Sequence, residues 1–95
     1  MLLPRAALSH KMFGKEGDRM QAAFAERYRI LGLNVAYYRK LKGLSQETLA
    51  ERVGISRTHM SRIETADCAV SLDVIFALSD ALQVAPARLF DFRVD

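Results

Sequence analysis

The 95-residue chain is half apolar and about a quarter charged, with a formal net charge of +3, five Gly, two Pro and one Cys. That length fits one domain, and the composition belongs to ordered globular proteins rather than disordered ones. A lone Cys68 supports no disulfide framework, two histidines offer no zinc-ligand spacing, and no apolar run approaches the roughly 18 residues of a membrane span, so a cytoplasmic protein without cofactor or metal is the expectation.

Residues 1–17 mix apolar and basic side chains with Pro4, Gly14 and Gly17 and show no sustained period, which reads as a flexible arm. From Asp18 the pattern changes. Met20, Phe24, Tyr28, Leu31, Val35 and Tyr38 recur every three or four residues and lay an apolar stripe along a helix to about Leu41, with Gly32 leaving open whether it is one helix or two. Lys42 and Gly43 supply a cationic last turn and a left-handed exit. Ser45 is placed to cap a short helix that buries Leu49, Ala50 and Val53 and stops at Gly54. Ser56 is a second cap, before a helix whose apolar anchors are only Met60 and Ile63. Ser71 opens the most apolar segment, with Leu72, Ile75, Phe76, Leu78 and Leu82, and Pro86 suits the first turn of a last helical unit reaching Leu89 and Phe90. Five helical units, no strand and no repeat make the fold class all-α.

The unit from Ser56 to Glu64 has a thin apolar edge and a polar remainder. A helix that enters a DNA major groove needs that division, because the groove admits one helix and the rest of its circumference must meet bases and phosphates. Charge is distributed accordingly. Six Lys or Arg and three Glu lie between Tyr37 and Glu64, whereas two Arg and five Asp lie between Thr65 and Asp95, giving one basic and one acidic end.

The stretches "RKLKGLSQETLAERVGISRTHMSRIE" and "LDVIFALSDALQVAPARLF" resemble the Xre or phage-repressor and Cro-like helix-turn-helix family. The match is dense at Ser45-Gln46, Leu49-Ala50, Gly54, Ser56-Arg57, Met60-Ser61 and Ile63-Glu64. The resemblance implies a compact five-helix helix-turn-helix domain of the phage repressor-like type, family-like over 33–90 within a single domain 18–95, with an N-terminal helical extension. It implies a recognition helix at about 56–64. Gln46 would then anchor to a phosphate and brace the first reading residue, Arg57 and Thr58 would approach bases, Ser61 and Arg62 would sit further along the groove, and His59 would lie near the backbone. Each has a plainer reading: solvated cations for the two arginines, a backbone-bonded hydroxyl for Thr58 and an incidental, solvent-facing ring for His59. Arg39 and Glu64 are implied to form an internal ion pair that orients the reading helix. Tyr37, off the buried stripe, is either rim packing or a phosphate contact.

Two departures stand out. Where the family often has glycine two residues after the glutamate and a later proline, this chain has Ala66 and Val70. An alanine is strained at positive φ, so the loop has reason to take another path. The loop "TADCAV" also carries Asp67 and no cation, which speaks against a minor-groove or phosphate clamp. The expected function is therefore sequence-specific binding of double-stranded DNA at a palindromic operator by a homodimeric transcriptional regulator. A protein-interaction module, antitoxin-like and with a protein partner, is the alternative, favoured by the apolar stripe ahead of the usual domain. No carboxylate pair, nucleophile with a base or phosphate loop points to an enzyme.

Overall fold

The computed structural model describes residues 22–92; the arm read over residues 1–17 and the helix start at Asp18 and Met20 lie outside them. Within the described residues are four complete α-helices and a closing 3-10 turn, with no strand: α1 Ala25–Leu41, α2 Gln46–Val53, α3 Arg57–Glu64, α4 Leu72–Leu82 and the turn Pro86–Leu89. The last unit is 3-10 rather than α-helical. No helix among the described residues is long and apolar enough to cross a membrane.

Three serines start three of the helices in the same way. Ser45, Ser56 and Ser71 each hold extended backbone and accept from the N–H three residues on, those of Thr48, His59 and Val74, at 3.0, 3.0 and 3.2 Å. Each cap removes one of the N–H groups that a helix start leaves unpaired, an effect of about 1 kcal/mol per cap.

The helix ends share a second device, a residue in left-handed conformation just past the last turn. Gly43 and Gly54 supply it after α1 and α2. After α3 and α4 the positions fall to Ala66 at φ 62° and Gln83 at φ 60°. The loop after α3 therefore does not avoid the left-handed path, contrary to the expectation from Ala66. Its N–H bonds Ile63 O and that of Asp67 bonds Arg62 O at 2.7 Å, and these two bonds satisfy carbonyls at the helix end, holding alanine where glycine fits more easily.

Leu31, Val35 and Tyr38 from α1, Leu49 and Ala50 from α2, Met60 and Ile63 from α3, Ile75, Leu78 and Leu82 from α4, and Leu89 make one core. The apolar stripe of α1 leaves that core at its N-terminal end, where Tyr28 is half-buried and Phe24 exposed beneath the Arg27 guanidinium, 5.2 Å from its ring centroid. Leu72 and Phe76 of α4 are likewise exposed. Tyr37 lies at the rim, edge-on to the buried Tyr38.

Gly32 does not break α1. It lies where α1 crosses the end of α3, and a Cβ on it would come within 2.6 Å of the carbonyl oxygens of Ile63 and Glu64. The glycine is thus the condition for the crossing, and α1 runs unbroken through it. Since those oxygens are backbone atoms that cannot swing aside, Gly32→Ala is expected to cost about 2 to 3 kcal/mol, read as a lower urea midpoint without loss of helical circular dichroism at low denaturant.

Candidate nucleic-acid interface

On α3 the apolar anchors Met60 and Ile63 are fully buried, and they fix which side of this two-turn helix faces outward. Arg57, Thr58 and Arg62 are exposed on the other side, with Ser61 half-buried beside them. His59 is half-buried rather than solvent-facing, at the margin of the apolar edge, and its backbone N–H is taken by the Ser56 cap. Helical spacing also puts Thr65 on the exposed side, but its hydroxyl donates to Ser61 O at 3.0 Å and is turned back onto its own helix.

Behind this face the orientation of α3 is set by a polar cluster. Arg39 on α1 meets Glu64 at the end of α3 through two parallel bonds, Nε to Oε2 at 2.6 Å and Nη2 to Oε1 at 3.0 Å, with side chains only 11 and 6% exposed. The same guanidinium donates through Nη1 to Leu44 O at 2.8 Å, fixing the turn that leads into α2. Gln46, the first residue of α2, donates Nε2 to Glu64 Oε1 at 2.9 Å. One carboxylate thus gathers α1, the turn and the start of α2 onto the end of α3.

The brace expected between Gln46 and Arg57 is absent. The Gln46 amide lies instead against Glu64, seven residues along α3, because an ionised carboxylate is the strongest acceptor within its reach. Spacing along the chain gives no sign of this bond. Asn34 was missed altogether: it is buried on α1 and donates Nδ2 to Leu89 O at 3.0 Å and to Asp91 O at 2.8 Å, tying the end of the chain to the first helix. Its only signal was a polar residue inside the apolar stripe. Cys68, in the loop after α3, has its thiol pushed above the ordinary value by burial, with Arg62 opposing and Asp67 adding to the shift. It stays protonated and packs as a small apolar group. Among the described residues no three His, Cys, Asp or Glu are grouped to hold a metal ion.

A capped helix, a short turn through Gly54 and Ile55, and a second capped helix held on a scaffold at both ends form the geometry of a helix-turn-helix, and the helix-turn-helix family pattern matches residues 35–89. The chain belongs to the Xre and Cro-like helix-turn-helix family. It is 38% identical over 60 residues to control protein C.SmaI of Serratia marcescens, a match covering 63% of this chain and 71% of that one. Among solved structures it is similar to the restriction-modification controller protein C.AhdI from Aeromonas hydrophila, with TM-score 0.65 and 38% identity, covering 66% of this chain and 96% of that chain. A hypothetical transcription factor from Neisseria gives TM-score 0.65 at 34% identity over 67% of this chain and 74% of its own, and the clp gene regulator ClgR from C. glutamicum gives 0.62 at 26%, over 65% and 80%. The Arg39–Glu64 cluster lies behind the outward side of α3 and acts as its mount.

Two substitutions test the mount. Glu64→Ala leaves the Arg39 guanidinium and the Gln46 amide without their acceptor and is expected to cost about 3 kcal/mol, against about 1 kcal/mol for Gln46→Ala, which removes a single bond. The check is the order of the two urea midpoints. In the same assay Ala66→Gly is expected to raise stability by about 1 kcal/mol, because glycine relieves the left-handed alanine.

Proposed function

We propose that this chain is a small transcriptional regulator that binds a palindromic operator as a homodimer, with α3 in the major groove. The observation that carries the reading is the exposed row of Arg57, Thr58 and Arg62 on a helix whose other side is pinned by Met60, Ile63 and the Glu64 cluster. An arginine at the first position of a rigidly mounted α3 suits bidentate bonding to guanine O6 and N7, and the Thr58 hydroxyl and methyl suit a neighbouring base edge. Arg62 and Ser61 fall one turn further, at the distance of the next bases or a phosphate.

Phosphates are met at helix starts. The Gln46 amide retains a second N–H beyond the one given to Glu64, and it stands at the N-terminus of α2, where the helix dipole favours an anion. His59 adjoins the reading face and takes the backbone in this reading. The acidic loop after α3 contributes nothing to a polyanion, which leaves one copy with few contacts, and pairing on a symmetric site supplies the rest. The relatives are named as a control protein, a restriction-modification controller protein and a clp gene regulator, and regulation is the mode of action carried over here.

Selection of bound duplexes from a random pool, repeated at several salt concentrations, is the test. Enrichment of a palindrome with half-sites about 34 Å apart is expected, and retention that salt abolishes without any enriched motif would overturn the reading. On the selected site, Arg57→Ala is expected to lose about 1 to 3 kcal/mol of discrimination against a changed base, while an equal loss on random DNA would move Arg57 to phosphate contact.

A further inference from the structure

The side of α1 turned away from the core carries an apolar row. Leu33, Tyr37 and Leu41 follow one another at four-residue intervals and are 56, 39 and 67% exposed. Residues four apart stand one above the other on a helix, so the three form a single ridge, and Arg29 continues it one turn earlier. The ridge offers on the order of 300 Å² of apolar surface, the scale at which an exposed patch on a monomer is often functional. It lies on neither of the sides that α1 already uses. Gly32 and Arg39 turn toward the end of α3, and Tyr28 and Leu31 toward the start of α4, across an apolar groove that Leu72 and Ile75 complete.

Charge along this stretch has one sign. Between Glu26 and Glu47 the sequence has five Lys or Arg and no Asp or Glu. Arg39 is committed to Glu64, and Arg29 shares an exposed pair with Glu26. Lys40, exposed three residues on from Tyr37, meets no carboxylate among the described residues, and Lys42 donates to the neutral Gln83 Oε1 at 2.8 Å.

We infer that this ridge is a docking surface for an amphipathic helix of another protein, one whose apolar side is flanked by Asp or Glu. Charge selects that occupant. A second copy laid on the same ridge sets cations against cations, and residues 1–21 carry four Lys or Arg against two Asp or Glu, so this chain does not supply the opposite sign. A duplex supplies the sign, but phosphate contact uses only the cations and leaves three apolar side chains in water. A helix fits both features. A ridge of side chains at i, i+4 and i+8 packs into the grooves of another helix, and carboxylates along that helix then meet Arg29 and Lys40. Docking there leaves Arg57, Thr58 and Arg62 uncovered, which lets a partner accompany the chain onto DNA, although the surface itself does not depend on the operator reading.

The probe is a fluorescein-labelled synthetic helix of about 18 residues, with Leu along one side and Glu on both flanks, titrated with the full chain and followed by anisotropy. Saturable binding is expected below about 1 mM. Combining Leu33→Gln with Leu41→Gln is expected to weaken it at least about 10-fold. Both leucines are exposed and glutamine is a good helix former, so the double variant keeps the circular dichroism of the wild type. Lys40→Glu is expected to weaken the Glu-flanked peptide and to strengthen a Lys-flanked one, an exchange that loss of folding does not produce. Absence of binding, undiminished binding by the double variant, or equal binding of the two peptides to the wild type overturns the proposal. So does loss of binding in Leu72→Glu, which puts the peptide in the groove between α1 and α4. Displacement of the peptide by a random-sequence duplex at low salt also overturns it, because these cations then serve DNA.

Discussion

The arrangement of the helix-turn-helix pair depends on one carboxylate. Glu64 ends α3, and around it converge Arg39 from α1, Gln46 from α2 and, through the same arginine, the carbonyl of Leu44. The gain from such an ion pair over apolar side chains of the same shape is small, since desolvation offsets attraction. Its value is geometric: a planar guanidinium with three committed bonds admits one arrangement of the groups around it. A helix of two turns has too little apolar surface to choose its own rotation, and Met60 and Ile63 alone leave it free to rock. Direction comes from the polar cluster, burial from the core.

The crossing at Gly32 is the apolar counterpart of that cluster. With backbone oxygens of Ile63 and Glu64 where a side chain would otherwise project, α1 and the end of α3 approach more closely than any other residue permits. Close approach shortens the reach Arg39 must span, seven residues along the same helix, and so makes the two parallel bonds to Glu64 possible. A glycine costs an isolated helix about 1 kcal/mol. Here that local loss is accepted for a contact that exists only in the folded chain, which is why propensity alone left α1 ambiguous.

Local chemistry was legible in the sequence wherever a residue acts on its own neighbours. The serine caps, the glycines after α1 and α2, and the short apolar edge of α3 follow from spacing alone, and the helix-turn-helix pair follows from them. What spacing does not carry is the choice among partners distant in the chain. Spacing gives no sign of a Gln46 bond to Glu64, which only the fold brings within reach; Asn34 reads as an interruption of an apolar stripe until Leu89 and Asp91 are placed above it. Ala66 shows the converse case, where a local rule pointed away from the left-handed turn and two backbone bonds at the helix end prevailed. Phe24 and Phe76 kept the period of a buried face yet lie on the outside, because periodicity reports an apolar side without saying what covers it.

The Asn34 bonds carry a consequence for the order in which the molecule is made. The amide sits on α1, and its two acceptors lie 55 and 57 residues later. Until Asp91 has been added, the Asn34 amide lacks these two acceptors and gives those bonds to water, so burying it under the rest of the chain carries a cost. The last packing step of α1 therefore waits on the chain around Leu89, although its apolar face can meet α2, α3 and α4 earlier.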